Sequence, residues 1–437
     1  MLSEFKKIIA LDNPLRLAYH LCRAVIANFI YKFPSKWMLI IWVTGTNGKT
    51  TTCNIVARGL RATGKKVFMF STINYFIGES EYRNDTKMTS PDPFLLQKLL
   101  AQAKKEWCEI AVIETSSHAI LMHRVWWIDY DVAVLTNITQ DHLDLHKTMD
   151  NYMKIKLKLF KWLISSTRKP WIKKTAIINI ESNYKDLFLN EPYDILTTYG
   201  LDYDSNLKPY NVKNGLDYTT FELKIAGNIL KIKTKLRGKH NMYNILWAIW
   251  VFLSLWVKPK DIEKSILDVE WVAGRLEEVN NYEWFKIFID YAHTPDALEN
   301  VLNTLKNIEW IKRIITVFWA TWDRDKTKRP IMWKIVSQMS DYVILTQDDD
   351  YTETTQDIVK DVLPWIERKE WEDFWIILNR QSAIRTAILQ AKKYDAILIA
   401  GKWDEHLMMT NLWPIEYNDK QVVCDILKEI DDNKIIK

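Results

Sequence analysis

The sequence predicts an α/β protein with mainly parallel sheets, a central phosphate-loop domain followed by a C-terminal Rossmann-like domain. Three observations predict it. Short apolar runs rich in Ile, Val and Leu alternate with helical stretches from Met38 to the end, the pattern of crossover units whose strands are buried on both faces. A loop reading Thr44-Gly45-Thr46-Asn47-Gly48-Lys49-Thr50-Thr51-Thr52 directly follows the first of these runs. The chain has 437 residues, more than one core holds, so two or three domains are expected.

The elements follow in order. Leu15 to Phe33 reads as an amphipathic helix with Arg16, His20 and Arg23 on one face, expected to pack on the body of the protein and not to anchor at a membrane. It belongs to a short N-terminal segment, 1–37. The central domain, 38–272, carries buried strands at Met38 to Val43, Glu109 to Ile113, Val132 to Leu135 and Ala176 to Ile178. An alternating stretch from Tyr218 to Lys235 predicts antiparallel strands, and a long helix starts near Asn241. The C-terminal domain, 273–437, carries strands at Phe285 to Ile289, Ile314 to Phe318, Tyr342 to Leu345, Trp375 to Leu378 and Ala396 to Ile399. Helices such as Pro295 to Lys306 and Ala383 to Lys392 complete the crossovers.

Composition narrows the function. Apolar residues make up 48% and charged residues 26%, a globular balance that excludes disorder. A net charge of +5 suits a binder of phosphorylated small molecules and is too weak to argue for nucleic acid. Cys22, Cys53, Cys108 and Cys424 match no zinc or disulfide spacing, which fits a reducing, cytoplasmic setting. The longest apolar run, Trp37 to Val43, is far short of the roughly 20 residues that span a bilayer. Asp12, Asn13 and Pro14 interrupt the N-terminal apolar stretch, so no signal peptide and no stable membrane insertion are expected.

The phosphate loop carries the sharpest chemistry. Gly45 and Gly48 let backbone N–H groups turn toward phosphate oxygens. Lys49 can reach the β- and γ-phosphates, Thr50 can hold Mg²⁺, and the next helix aims its N-terminus inward. The strict pattern would have Gly at Val43, so the loop is a variant. Gly45 through Thr51 form the expected ATP site. Thr50, Glu114 and His142 each follow an apolar strand, and in a parallel sheet such strand ends line one crevice. A carboxylate and an imidazole there can bind a metal or position a substrate.

The loop is similar to the ATP loop of Mur ligases. Further matches follow in order: Glu114-Thr-Ser116-Ser117-His118, Thr136-Asn137 to Asp141-His142-Leu-Asp144, and His240-Asn241-Met-Tyr-Asn244. Then come Gly274-Arg275-Leu-Glu277, Asp290-Tyr-Ala-His293-Thr-Pro, Asp323-Arg324 to Lys328-Arg329-Pro, and Gly401-Lys402-Trp403-Asp404-Glu405. These later motifs look most like the branch that adds the third peptide residue, and the resemblance runs from about Met38 to Asp419.

It implies an ATP-dependent, ADP-forming ligase that joins an amino acid, a diamino acid by expectation, to UDP-muramyl-dipeptide through an acyl phosphate, in peptidoglycan precursor synthesis. It also implies that Lys156 is a carbamylated metal ligand beside Thr50, Glu114 and His142, and that Asn244, Arg275 and Asp290 complete the ATP site. Asn84, Thr89, Ser90, Ser116 and Arg124 match dipeptide contacts. Asp348, Arg380 and Glu405 are candidates for the incoming amino acid. Lys49, Lys156 and His142 are the expected catalytic residues, and a monomer is the expected state. The alternatives are a folylpolyglutamate-synthetase-like ligase, a P-loop NTPase that makes no bond, and a non-catalytic ATP-binding homologue.

Three departures carry expectations of their own. Where diaminopimelate-adding ligases have Asp-Asn-Pro-Arg, this chain reads Asp348-Asp349-Asp350-Tyr351. Tyr cannot pair bidentately with a distal carboxylate, so lysine or ornithine is expected as substrate. The phosphate loop starts at Thr44, where family members carry a separate uridine-binding domain first, so weak dependence on the uridine end, or another contact surface for it, is expected. Finally, the chain has 11 Gly and 21 Trp, against a usual glycine share of about 7%. Trp42, Trp319 and Trp322 stand where the family has glycine or a glycine-rich stretch, Trp403 falls in a loop at the expected amino-acid site, and Trp107, Trp256, Trp271 and Trp333 fall at expected element ends. Many are therefore expected to be glycines at UGA codons, with Trp247 and Trp250 as candidates for true core indoles.

Overall fold

The structure, a computed structural model, describes residues 13–86, 88–170, 172–202, 204–214, 218–225, 227–269, 274–279, 284–319, 327–347, 359, 362–365, 368, 370, 372–402, 407–409 and 414–435. The chain forms two compact units, Met1–Glu270 and Trp271–Lys437.

In the first unit, Asn13 caps helix α1 (Pro14–Ile30) by accepting from Leu15 N, with Pro14 preset for the first turn. The buried residues of α1 include His20 and Asn28, while Leu15, Tyr19, Ile26, Phe29 and Ile30 face outward. Arg23 bridges to Asp92 at 2.7 Å, which ties α1 to helix α3 (Pro93–Lys105).

An eight-stranded sheet makes the body of this unit, in the order β4-β3-β2-β5-β1-β6-β7-β8. Strands β1 (Leu39–Thr44), β2 (Val67–Phe70), β5 (Ile110–Glu114), β6 (Val132–Leu135), β7 (Thr175–Asn179) and β8 (Ile195–Tyr199) run parallel. The hairpin β3 (Asn74–Ile77) and β4 (Ser80–Arg83) closes one edge in antiparallel fashion. Residues 40–44 of β1 and all of β5 are buried, as expected of strands covered on both faces. Helix α2 (Lys49–Ala62) follows β1. Short helices α4 (Ser117–Leu121) and α5 (Leu143–His146) follow β5 and β6, and α6 (Met149–Ser165) precedes β7.

Helix α7 is Asp186–Leu189. Strands β9 (Pro209–Asn214), β10 (Thr219–Ile225) and β11 (Asn228–Thr234) form the antiparallel sheet read from the alternating stretch. Helices α8 (Lys239–Ser254) and α9 (Pro259–Leu267) complete the unit.

The second unit has a six-stranded sheet in the order β12-β13-β17-β14-β15-β16. The edge strand β12 (Glu277–Val279) is antiparallel; β13 (Lys286–Asp290), β14 (Arg313–Phe318), β15 (Tyr342–Leu345), β16 (Phe374–Ile376) and β17 (Asp395–Ala400) are parallel. Helices α10 (Pro295–Lys306), α11 (Lys328–Met339), α12 (Arg380–Gln390) and α13 (Asp419–Ile435) accompany it, and β18 (Leu407–Met409) pairs with β19 (Pro414–Glu416). Thr294 caps α10 by accepting from Ala297 N, and Asn379 caps α12 by accepting from Ser382 N. Among the described residues, no helix is long and apolar enough to cross a membrane.

Candidate active site

Three adjacent strands, β5, β1 and β6, deliver the site in the first unit. Their carboxyl ends carry Glu114, the phosphate loop, and the stretch Thr136 to His142. The loop is built for close approach. Gly45 has φ +151°, and a Cβ there would stand 1.8 Å from Thr136 Oγ1; Gly48 has φ +80°, and a Cβ would stand 2.6 Å from Asn244 Oδ1. Neither site accepts a side chain.

Asn137 braces the loop from β6: its Oδ1 accepts from Thr46 N at 3.1 Å and Asn47 N at 2.8 Å. Thr136 Oγ1 donates to Asn47 O at 2.7 Å, and Thr46 Oγ1 lies 3.1 Å from the Tyr152 hydroxyl. Lys49 Nζ donates to Thr46 O at 2.8 Å, so the ammonium lies over the loop. Thr51 is buried.

Glu114, nearly fully buried, sits at the first turn of α2. Thr50 Oγ1 is 3.1 and 3.0 Å from its two carboxylate oxygens, and Thr72 N donates to Oε2 at 2.7 Å. Thr72 Oγ1 in turn donates to Thr89 Oγ1 at 3.2 Å. Ser90 Oγ donates to Glu114 O and accepts from Ser116 N, both at 3.1 Å. Thr89, Ser90 and Ser116 are thus gathered beside Glu114. Asn84 is placed differently: its Nδ2 donates to Ser71 O, Thr72 O and Met88 O, and its Oδ1 accepts from Thr86. That amide ties the Ser71–Thr72 turn to the backbone at Met88. Arg124 is set against the sulfurs of Met88 and Met122.

Lys156, on α6, is 1% exposed and donates from Nζ to Gly45 O at 2.7 Å. Burial first, and then the nearby Lys49, push its amine well below the usual lysine range against the pull of Asp141. The Tyr152 ring lies 4.6 Å from Nζ. His142 has φ +55°, pairs with Asp141 at 3.3 Å, and meets His118 edge-on at 4.7 Å. His146 bonds Ser117 Oγ at 2.9 Å. Burial, then His118 and Lys156, lower it to about 4, so it is neutral at pH 7.

Asn244, on α8, accepts from Thr52 Oγ1 and donates to Asn241 Oδ1, both at 3.1 Å. It therefore locks α8 to the phosphate-loop helix, and Trp247 Nε1 joins it by donating to Thr52 Oγ1. Trp247 behaves as a true core indole.

In the second unit, Asp290 ends β13. Its oxygens accept from Leu276 N at 2.6 Å and Ala292 N at 2.7 Å, and Arg275 lies over the Tyr291 ring at 4.8 Å. Burial raises the Asp290 carboxyl to about 6, with Arg275 opposing. Because this folded value exceeds the unfolded one, the carboxyl supports the fold most when protonated, below 3.8, and that support is lost as pH rises through about 6. Its charge is consequently lost as pH falls through about 6. If that charge serves the nucleotide, kcat/KM for ATP falls toward a tenth per pH unit below about 6. A pH profile checks this, and Asp290→Asn should give a low profile without that inflection.

Two expectations require correction. Arg380, a candidate for binding the amino-acid carboxylate, is 0% exposed. Its guanidinium pairs bidentately with Asp419 at 2.8 and 2.7 Å and donates to Ala400 O at 3.1 Å. The strong, planar acceptor it needs is already within the fold, so Arg380 anchors α12 and α13. Trp333 lies inside α11, not at its end; it is fully buried and donates to Trp365 O at 2.8 Å. Asp348, Asp349, Asp350, Tyr351, Glu405, the Asp323-Arg324 pair, Trp271, Trp322 and Trp403 lie outside the described residues.

Comparison with known proteins places the chain among Mur ligases. Residues 43–252 match the Mur ligase middle domain and residues 274–403 the Mur ligase glutamate ligase domain. A UDP-N-acetylmuramoyl-L-alanyl-D-glutamate–2,6-diaminopimelate ligase of Syntrophomonas wolfei is 36% identical over 405 residues, covering 93% of this chain and 81% of its own length. A Clostridium botulinum protein of the same name is 37% identical over 410 residues, with the same coverage. A solved structure of such a ligase aligns with TM-score 0.63 at 26% identity, over 94% of this chain and 83% of that one. A folylpolyglutamate synthase from Mycobacterium tuberculosis aligns with TM-score 0.69 at 17% identity, over 87% and 92%, which shows a shared fold.

Proposed function

The chain belongs to the Mur ligase family, and from that membership we propose how its site makes an amide bond between an amino acid and the D-Glu carboxylate of UDP-N-acetylmuramoyl-L-Ala-D-Glu. It is an ATP-dependent, ADP-forming ligase of the third-residue-adding branch, acting in peptidoglycan precursor synthesis. The cytoplasm, where ATP is found, is the proposed location.

One observation supports the reading: Glu114 is held by both Thr50 of the phosphate loop and Thr72 of the turn between β2 and β3, which also bonds Thr89. On this reading metal, phosphate and acceptor would meet around one carboxylate. Thr50 and Glu114 would supply hard oxygen donors suited to Mg²⁺. Bound there, the ion would offset charge on the transferring phosphoryl group. In its unprotonated form, which burial favours, the Lys156 amine can add CO₂, forming an N–C bond and releasing a proton, which gives a carbamate beside Gly45.

In the reaction, the acceptor carboxylate attacks the γ-phosphorus of ATP, the bond to the β-phosphate oxygen breaks, and ADP leaves. Lys49 stabilises the charge on the equatorial oxygens. The amine of the incoming amino acid then attacks the acyl phosphate, phosphate departs, and the amine gives up a proton. His142 and His118 are candidates to position groups at this step.

For the amino acid, Tyr351 supports a diamino acid without a distal carboxylate. The named relatives act on diaminopimelate, and the resemblance places an Arg at the matching position. Mass analysis of the product from a mixture of diaminopimelate, lysine and ornithine tests both levels. A UDP-muramyl-tripeptide should form, with lysine or ornithine preferred. Tyr351→Arg should move preference toward diaminopimelate by roughly 10- to 100-fold, the worth of a charged hydrogen-bonded pair. Faster use of diaminopimelate by the unaltered enzyme would put this chain with its named relatives, and no tripeptide from any diamino acid would overturn the function.

A further inference from the structure

We propose that Asn54 and Asn74 form a positioning device for the Glu114 carboxylate, an inference that rests on Glu114 being the metal-binding group. Asn54 lies one helical turn after Thr50 on α2, and Asn74 begins β3. Both are buried, at 1% and 8% exposure. Their side-chain amides bond reciprocally: Asn54 Nδ2 donates to Asn74 Oδ1 at 3.2 Å, and Asn74 Nδ2 donates to Asn54 Oδ1 at 3.0 Å.

Each remaining amide hydrogen is also used. Asn54 Nδ2 donates to Thr50 O at 3.1 Å and Asn74 Nδ2 to Glu81 Oε1 at 2.8 Å. Ser71 Oγ donates to Asn74 O at 3.0 Å and Asn74 Oδ1 at 2.8 Å. This fixes the turn whose next residue, Thr72, donates its N–H to Glu114. The bonds close a ring from Thr50 through Asn54, Asn74, the Ser71–Thr72 turn and Glu114 back to the Thr50 hydroxyl. A carboxylate gripped from two elements is preorganised only while those elements keep their spacing, and the amide pair sets that spacing.

The test is the Mg²⁺ concentration that half-supports ADP binding, measured by calorimetry without turnover, alongside Tm. Asn54→Ala and Asn74→Ala should raise it about tenfold, the usual loss when a partner that orients a metal ligand is removed, with Asn54→Ser and Asn74→Ser as smaller perturbations should the alanine forms not fold. A variant that stays folded with its Mg²⁺ midpoint within twofold of wild type, while Glu114→Ala shifts it, overturns the pair's role alone. An unshifted midpoint in Glu114→Ala overturns the metal assignment and this proposal with it.

A separate observation concerns the tryptophans. We infer that residues 107 and 256 are glycine in the protein its organism makes, encoded by UGA read as glycine. After α3, Trp107 has φ +61°, Trp107 N donates to Lys104 O at 3.1 Å, and Cys108 N donates to Ala103 O at 2.9 Å. After α8, Trp256 has φ +58°, Trp256 N donates to Leu253 O and Val257 N to Phe252 O, both at 3.0 Å.

Each pair of bonds defines a Schellman cap, whose left-handed residue is usually glycine. The same cap after α2 has Gly64 at φ +83°, with Gly64 N donating to Arg61 O and Lys65 N to Leu60 O. At the other two caps an indole stands 80% and 92% exposed, gaining no burial for its strained backbone. Trp127 is also left-handed, at φ +62°, and the same codon is assigned to it. Trp42 is fully buried in β1, and its indole N–H meets no acceptor.

Peptide mapping by mass spectrometry of the protein from its own organism decides the matter. Glycine at 107 and 256 is the expected result, and tryptophan at either overturns the inference for that position. In recombinant protein carrying both indoles, Trp107→Gly and Trp256→Gly should each raise Tm by roughly 2–4 °C, and a lowered Tm would contradict the strain argument.

Discussion

Lys49→Ala should lower ligation by roughly 10²–10³-fold or more, the usual loss when one preorganised charge at a transferring group is removed. Its Tm should stay within a few degrees of wild type. The expectation follows from where the side chain lies. Lys49 is the first residue of α2, half-buried, and its Nζ donates to the Thr46 carbonyl at 2.8 Å. The loop's shape is held by other groups, namely Asn137 Oδ1, Thr136 Oγ1 and the Thr46–Tyr152 contact. Losing a single hydrogen bond costs about 1 kcal/mol, whereas the charge on the γ-phosphate oxygens loses its nearest cation. Steady-state kinetics with a melting curve separate the two. Activity within tenfold of wild type would remove Lys49 from the chemistry.

Lys156→Ala should be nearly as severe, lowering turnover by on the order of 10²-fold, within the range reported for groups that hold or orient a metal. A fully buried lysine with a depressed pKa is poorly suited to a structural ion pair, and the pull of Asp141 only partly offsets the effect of burial and of Lys49. As a neutral amine it is a nucleophile for CO₂. Wild-type activity should therefore fall in CO₂-depleted buffer and return with bicarbonate, while the residual activity of Lys156→Ala ignores both. A wild-type enzyme indifferent to CO₂ would leave Lys156 as a brace on the Gly45 carbonyl and would end the carbamate assignment.

Much of this site was legible in the sequence because its parts are local. A strand, the loop Thr44 to Thr52 and a helix announce themselves by spacing, and Glu114 and His142 stand directly after apolar runs. The antiparallel sheet was visible in the alternation from Tyr218 to Lys235. What spacing could not show are partners distant in sequence. Asp419 claims Arg380 from 39 residues away, and no local signal distinguishes such an arginine from one facing substrate. Asn54 and Asn74, or Asn137 beneath the loop, look like ordinary polar residues until the fold brings their amides to a backbone N–H or to each other. Strand β2 is a four-residue apolar run, and β4 is wholly exposed, so neither offered enough periodicity to read. The spacing put Arg16, His20 and Arg23 on one face of α1 but did not show which face is buried, because burial of His20 and Asn28 depends on what the helix packs against.

The most direct test of the account is phosphate release measured with ATP and Mg²⁺ in four conditions: enzyme alone, with UDP-muramyl-dipeptide, with a diamino acid, and with both. A ligase that activates its acceptor as an acyl phosphate releases phosphate rapidly only when acceptor and amino acid are both present, one phosphate for each tripeptide formed. Equal phosphate release without the dipeptide would contradict it, and would make the chain an NTPase on a ligase fold.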